Sequence, residues 1–105
     1  MGRRAGREEA AEHALEREVH NVRITMYATD WCGHCERARR WLDDHGLDYA
    51  EHDVEVDADA RARRDYLNPR GTVPTFEIDG RVMVGFSPGY MRRAILTSAK
   101  RRMGN

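Results

Sequence analysis

Hydrophobic and polar residues alternate along two separate stretches of the chain. Between residues 22 and 28 the apolar positions are Val22, Ile24, Met26 and Ala28, with more polar residues between them. Such alternation is typical of a half-buried β-strand. The second stretch covers residues 72–78, and Asp79-Gly80 follows it as a two-residue hairpin signal. Residues 81–84 are the expected return strand, and a further strand is expected within residues 47–54.

Three helices are predicted between and after these strands. Apolar residues recur in the first and the third at a spacing of three or four, and each of the three has a capping or terminating residue at one end. The first helix, at about residues 33–45, is followed by Gly46. Asp57 or Asp59 precedes the second helix, which ends near Leu67. Ser87-Pro88 precedes the third. The order β-α-β-α-β-β-α predicts an α/β domain with a four-stranded mixed sheet and helices on both faces.

The first twenty residues differ from the rest in composition. Residues 1–7 contain three Arg and two Gly, and from Glu8 the segment consists largely of strong helix formers. Ala11, Leu15 and Val19 fall on one stripe, so a short amphipathic helix and a solvated extension both fit this segment. We therefore divide the chain into a charged N-terminal extension, residues 1–20, and one domain, residues 21–105.

Length and charge limit the classes of partner. The 105 residues suffice for one domain, and the 18 basic residues are balanced by 18 acidic ones. This balance does not indicate a polyanionic partner, so we expect no nucleic-acid binding. No apolar run approaches the roughly 20 residues that span a bilayer, and the N-terminus lacks the apolar region of a secretory signal. We expect a cytoplasmic monomer that does not associate with membranes.

The two cysteines carry the clearest chemical signal. Cys32 and Cys35 follow a predicted strand and open a predicted helix, a context in which a C-x-x-C pair is typical of a redox dithiol. Cys32 lies at or near the N-cap, where unpaired backbone N–H groups and the helix dipole stabilise a thiolate. Cys32 is therefore the expected nucleophile, and Cys35, one turn later, is the expected resolving thiol.

The surroundings of the cysteines leave alternatives open. His34 lies between the two sulfurs, where partial positive charge would stabilise the Cys32 thiolate, although a solvated first-turn residue also fits. Trp31 either covers an edge of the core or offers a flat surface against which a substrate packs. A zinc-binding interaction module is the rival interpretation, because C-x₂-C pairs bind zinc. We favour redox chemistry, since the chain has no second cysteine pair, and we assign no metal ligands.

Three stretches of the sequence resemble the glutaredoxins and the bacterial NrdH-type redoxins, which belong to the thioredoxin superfamily. They are residues 26–35 around the dithiol, Thr72-Val73-Pro74-Thr75 and Val84-Gly85-Phe86-Ser87-Pro88, and with Ile78-Asp79-Gly80 they extend the resemblance from about Val22 to Leu96. The resemblance implies a thioredoxin-like fold of the glutaredoxin type, a cis Pro74, and exchange with small-molecule or protein disulfides. The substrate-binding candidates are Trp31, His34, Thr72, Val73, Pro74, Gly85 and Phe86.

The same resemblance implies the reductant. Glutathione or a donor of the thioredoxin-reductase type would return electrons to the dithiol, and no bound cofactor is expected. Thr29 stands where many glutaredoxins have a Lys for a glutathione carboxylate, so Arg63, Arg64 and Arg70 are candidates for that charge. A second hypothesis is a carrier in which Cys32 and glutathione hold an iron–sulfur cluster at a dimer interface.

Overall fold

The element order predicted from the sequence is confirmed in a computed structural model, which describes residues 2–104. The elements are α1 (Gly2–Val19), β1 (Ile24–Ala28), α2 (Gly33–Asp44), β2 (Ala50–Asp53), α3 (Ala58–Leu67), β3 (Thr75–Ile78), β4 (Arg81–Val84) and α4 (Pro88–Arg102). None of the helices in this described part of the chain has the length and apolar character needed to cross a membrane.

The four strands form one mixed sheet in the order β2-β1-β3-β4. β1 and β2 are parallel, which requires the crossover that α2 provides. β1 and β3 are antiparallel, and their register pairs Tyr27 with Thr75. The C-terminal end of β1 therefore lies in the middle of the sheet beside the start of β3. The loop that follows β1 and the loop that precedes β3 consequently meet at one edge.

Helices cover both faces of the sheet, as the sequence predicts. On one face the strands contribute Met26 and Phe76 to the main core, and both side chains are completely buried. α2 and α4 supply the opposing residues, which include Leu42 and Met91. On the other face a smaller cluster of Tyr27, Val54 and Ala60 forms where α3 packs. This two-sided burial fixes the start of α2 against the end of β1.

α1 is longer than the short helix that the sequence suggests, because it spans 18 residues from Gly2 to Val19. Its last turns contact the rest of the molecule. Leu15 and Val19 pack against the main core, whereas Ala11, on the same predicted stripe, is exposed. Near the C-terminus of α1, Glu18 lies 3.8 Å from Arg102 of α4.

The β3–β4 hairpin turns at Asp79-Gly80, the dipeptide that the sequence marks. Both residues have positive φ, 50° for Asp79 and 81° for Gly80, as a two-residue turn of this class requires. The Asp79 carboxylate accepts two hydrogen bonds of 2.7 Å from the Arg102 guanidinium. It also accepts a bond of 2.9 Å from the Arg23 backbone N–H. The turn is thereby tied to the start of β1 and the end of α4.

Candidate active site

Cys32 is the N-cap of α2. Its backbone is extended, with φ −81° and ψ 115°, and its Sγ accepts a hydrogen bond of 3.2 Å from the Cys35 backbone N–H. The sulfur thus occupies the place that a Ser or Asp oxygen takes at an ordinary N-cap. A thiolate there lies against a backbone donor and the positive end of the helix dipole, which both stabilise negative charge.

Cys35 lies beneath Cys32 and has no exposed surface, whereas Cys32 retains 6%. Burial raises the pKa of the Cys35 thiol to about 12, and its contact with the Cys32 sulfur acts in the same direction. The Thr29 backbone N–H and the positive charge of Arg39 act in the opposite direction. Cys35 is therefore protonated at neutral pH, and the more accessible sulfur is that of Cys32.

The loop before β3 approaches Cys32 from the other side. The Val73–Pro74 peptide bond is cis, as the family resemblance implies. The Cys32 Sγ lies 3.8 Å from the Val73 carbonyl oxygen, within reach of a weak S–H···O bond. The backbone of Val73 consequently lies beside the reactive sulfur, where an extended substrate could pair with it.

Hydrogen bonds from several elements hold this loop in place. The buried Asn68 amide at the end of α3 donates to the hydroxyls of Thr72 at 2.9 Å and Thr75 at 3.0 Å. The Thr75 hydroxyl donates to the Thr72 carbonyl at 2.9 Å. After β4, the Gly85 N–H donates to the Pro74 carbonyl at 2.9 Å, with Gly85 at φ 78°. The position of Val73 is therefore set by α3, β3 and the segment after β4.

An open cleft of about 680 Å³ lies in front of Cys32. Five of the predicted site residues line it, namely Trp31, Cys32, His34, Thr72 and Val73. The remaining lining residues are Thr29, Gly33, Val54, Glu55, Arg61, Arg64 and Gly71. The cleft is thus built where the two loops at the edge of the sheet meet the first turns of α3.

Three predicted substrate contacts, Pro74, Gly85 and Phe86, do not line the cleft. Gly85 supports Pro74 from behind through its backbone bond. Phe86 packs against the main core, with its ring centroid 6.5 Å from that of Trp41. These residues therefore stabilise the cis-proline loop and the core, and a role in substrate binding stays a prediction.

Trp31 is an exposed wall of the cleft. Its side chain is 71% exposed, which removes the interpretation that it covers an edge of the core. Its indole N–H donates to the Glu55 carboxylate at 2.6 Å, although the two residues are 24 positions apart. Nothing in the sequence around Glu55 marks it as part of a site. The bond holds the indole plane across the loop between β2 and α3.

His34 lies on the exposed first turn of α2. Its Nδ1 faces the Arg37 guanidinium three residues later, and a guanidinium can only donate in such a contact. Nδ1 is therefore the acceptor nitrogen of the ring in this arrangement. Since His34 also lines the cleft, its ring and its contact with Arg37 lie close to the reactive sulfur.

The cationic residues of the cleft come from α3. Arg64, one of three candidates from the sequence, lines the cleft and is mostly buried, with its Nε 2.8 Å from Asp65. Arg63 points elsewhere and pairs with Glu77 of β3 at 2.7 Å, and Arg70 does not line the cleft. Arg61 lines it but was not among the candidates. The signal that identifies Arg61 is its spacing of three from Arg64, which places both on one face of a helix.

The zinc interpretation finds no ligand set. Within residues 2–104, no three His, Cys, Asp or Glu side chains lie close enough together to hold a metal ion. Cys32 and Cys35 instead face the helix terminus and the core.

Comparison with known proteins agrees with this arrangement. A family model described as Glutaredoxin matches residues 24–83, more than half of the chain. A glutaredoxin-like 8.6 kDa protein of the rubredoxin operon of Clostridium pasteurianum is 28% identical over 72 residues, covering 69% of this chain and 96% of that protein. Methanoredoxin of Methanosarcina acetivorans is 25% identical, with a TM-score of 0.64 over 70% of this chain and 83% of its own.

A buckwheat glutaredoxin, solved as a complex with glutathione, extends the likeness in fold. It is 22% identical and has a TM-score of 0.61, with 92% of this chain and 96% of that chain covered. The dithiol at the start of α2 and the cis-proline loop both fall within the segment that the family model matches. The chain therefore belongs to the glutaredoxin family.

Proposed function

We propose that this protein is a thiol–disulfide oxidoreductase that reduces small-molecule or protein disulfides through the Cys32-Gly33-His34-Cys35 dithiol. The observation that carries the proposal is the unequal placement of the two sulfurs. Cys32 caps α2 and accepts the Cys35 N–H at 3.2 Å, while the Cys35 thiol is buried directly behind it. One sulfur is therefore prepared to attack, and the other is held in reserve.

The reaction follows from this geometry. The Cys32 thiolate attacks one sulfur of the substrate disulfide, whose S–S bond breaks, and the departing thiolate takes up a proton from solvent. The mixed disulfide that forms lies in front of Cys35. Cys35 then loses its proton and attacks the Cys32 sulfur, which releases the second substrate thiol and leaves a Cys32–Cys35 disulfide. A reductant returns two electrons to restore the dithiol.

The surrounding residues have distinct roles in this proposal. The Val73 backbone, 3.8 Å from the Cys32 sulfur, pairs with the main chain of a peptide substrate. The exposed face of Trp31 packs against apolar groups beside the disulfide. Both contacts orient the scissile bond toward Cys32, and neither takes part in the exchange of protons.

We propose a carboxylate-bearing thiol, such as glutathione, as the reductant. Arg61 and Arg64 line the cleft that contains Cys32, and guanidinium groups bind carboxylates with two parallel hydrogen bonds. Glu55 is on the same surface and is engaged by the Trp31 indole. A reductase of the thioredoxin-reductase type is the competing donor, which the assay below distinguishes.

The test is turnover of bis(2-hydroxyethyl) disulfide with NADPH, using either glutathione and glutathione reductase or thioredoxin reductase as the source of electrons. We expect turnover with glutathione by the wild-type protein. Cys32→Ser should abolish turnover, because no other thiol occupies the N-cap. Cys35→Ser keeps the attacking sulfur and should accumulate a mixed disulfide, visible as a mass increase that dithiothreitol removes.

Activity in the Cys32→Ser variant would contradict the proposal, since the assigned nucleophile would then be dispensable. Turnover with thioredoxin reductase alone would keep the exchange reaction and replace the reductant. Arg61→Ala should raise the KM for glutathione with little change in kcat, because Arg61 contacts the reductant without touching the sulfurs. Arg92→Ala, on the exposed side of α4, is the matched control.

A further inference from the structure

Arg39 joins three parts of the molecule around the dithiol. It lies on α2 one turn after Cys35, and its side chain is only 18% exposed. The guanidinium donates to the Thr29 carbonyl at 3.1 Å and to both oxygens of Glu51 in β2 at 2.8 Å. A further bond of 3.3 Å reaches Glu36 in the first turn of α2. A residue that served only to solubilise the helix surface would not need this degree of burial and bonding.

Thr29 connects this arginine to Cys35. It follows β1, is only 3% exposed, and its hydroxyl has no hydrogen-bond partner among the described protein groups. Its backbone N–H interacts with the Cys35 sulfur, while its carbonyl accepts from Arg39. Fixing the carbonyl therefore also fixes the residue whose N–H faces the buried thiol.

The charge of Arg39 acts on the same thiol. Burial raises the pKa of Cys35, and the Cys32 sulfur raises it further, whereas the Arg39 guanidinium lowers it. Hydrogen bonds to Glu51 raise the pKa of Arg39 itself, so the guanidinium stays charged wherever the protein is folded. A pH dependence at Cys35 would arise from the ionisable groups around it. These are Cys32, Arg39, and the Glu51 and Glu36 carboxylates that bind Arg39.

We propose that Arg39 is a positioning residue for the second half of the exchange. It holds Thr29 against Cys35 and supplies the positive charge that favours the Cys35 thiolate as it attacks the mixed disulfide on Cys32. In that step the Cys35 S–H bond loses its proton to solvent, a Cys35–Cys32 bond forms and the bond between Cys32 and the substrate breaks. The substrate leaves as a thiolate and takes up a proton. This inference rests on the proposed function.

The experiment separates the two halves of one turnover. Reduced protein is mixed rapidly with 5,5′-dithiobis(2-nitrobenzoic acid), which releases one coloured thiolate when Cys32 attacks and a second when Cys35 resolves the mixed disulfide. Arg39→Gln removes the charge and keeps a donor, Arg39→Lys keeps the charge and loses the fork, and Arg39→Met is a second charge-free variant. Arg40→Met is the control, since Arg40 is 75% exposed and pairs with Glu36 from the outer side of the helix.

We expect the charge-free variants to slow the second release at pH 7, because less of Cys35 is ionised once the guanidinium is removed. Their rate-against-pH curve for that release should move to higher pH, while the first release stays unchanged. The Lys variant should keep the wild-type curve, and the Arg40→Met variant should match the wild type in both releases.

A role limited to stability would give a different result. Both releases would slow together, or the Lys variant would slow the second release as much as the charge-free variants do, and either outcome overturns the inference. A wild-type protein that releases no coloured thiolate would instead overturn the proposed function. The wild-type chain thus tests the dithiol chemistry, and the comparison of variants tests Arg39.

Discussion

At the scale of single residues, some features of the site depend on residues that are close together in the sequence, and others depend on residues that are far apart. The N-cap place of Cys32 follows from a strand, a short loop and a helix within a dozen residues, so the sequence predicts it. Trp31 and Glu55 are 24 positions apart, and Arg39 and Glu51 are 12 apart. Such pairs depend on how β2 lies beside β1, which no local pattern specifies. Arg61 is a different case, because its spacing of three from Arg64 on α3 is a local signal that places both residues on one helix face.

One prediction concerns His34 and the redox potential. A His between the sulfurs favours the thiolate, and stabilising the reduced form makes the disulfide more oxidising. We expect a potential between about −270 mV, that of thioredoxin, and about −180 mV, that of protein disulfide isomerase. His34→Pro should move the potential to a more negative value. Equilibration with glutathione buffers, followed by alkylation and mass analysis, measures it.

Proline is tolerated at this position because the bond that caps the helix comes from the Cys35 N–H and not from residue 34. Arg37→Gln is the companion variant, since it removes the cation next to Nδ1 and leaves the ring in place. If both substitutions leave the potential where it is, the capping bond and the helix dipole alone determine the stability of the Cys32 thiolate.

At the scale of elements, the sequence predicts the hairpin best and the strand ends least well. β4 and the Asp79-Gly80 turn occur where the pattern places them, because the turn needs residues that tolerate positive φ. β1 begins two residues late, since the Val22 N–H bonds back to Val19 at the end of α1. β2 lies within the predicted range of residues 47–54, and Leu47 at the start of that range donates to the Leu42 carbonyl and so completes the end of α2.

A prediction at this scale concerns the turn and pH. The Arg102 guanidinium is the main cause that lowers the pKa of Asp79, and the Arg23 N–H contributes. A carboxyl whose pKa is lowered by folding stabilises the folded state above its unfolded pKa, and this stabilisation is lost as the pH falls through the folded value. We expect it to be complete above about pH 5, since an unperturbed Asp titrates near 3.9, and to decrease as the pH falls below that value.

Asp79→Asn isolates this effect, because Asn also tolerates the positive φ of the turn. The variant should melt a few degrees below the wild type at pH 7 and closer to it at pH 3, as followed by circular dichroism. Asp48→Asn, an exposed substitution outside the turn, should melt with the wild type at both pH values. A difference for Asp79→Asn that was as large at pH 3 as at pH 7 would assign the effect to turn geometry and not to charge.

At the scale of the whole molecule, the family match and the cleft both lie within the part of the chain that begins at β1. α1 precedes this part and packs on α4 through its last turns. The alternation, the caps and the dithiol predict the order of the strands and helices along the chain, because each is a local signal. The docking of α1 could not be predicted, since Leu15 and Val19 are its few large apolar residues and its charges fit a solvated segment equally well.

Two truncations test whether residues 1–20 lie outside the domain. Residues 6–13 are exposed, so a chain that lacks residues 1–13 should keep the melting temperature and exchange rate of the full chain. A chain that lacks residues 1–20 also loses Leu15 and Val19, which are partly buried against the core. Full burial of one such side chain contributes ~1.5–3 kcal/mol. Since these two side chains are partly buried, we count half of that value for each, and expect the free energy of unfolding to fall by about 2 kcal/mol in total.

The chain that lacks residues 1–20 should nevertheless keep its exchange rate while it is folded, because every residue of the cleft lies at position 29 or later. Leu15→Ala in the full chain separates side-chain packing from the presence of the helix. In a urea titration it should lower the free energy of unfolding by about half as much as the removal of residues 1–20 does. Equal destabilisation by both truncations would show that the first turns of α1 also stabilise the fold. A loss of exchange in the folded 21–105 chain would make α1 part of the functional unit, and the division at residue 20 would be wrong.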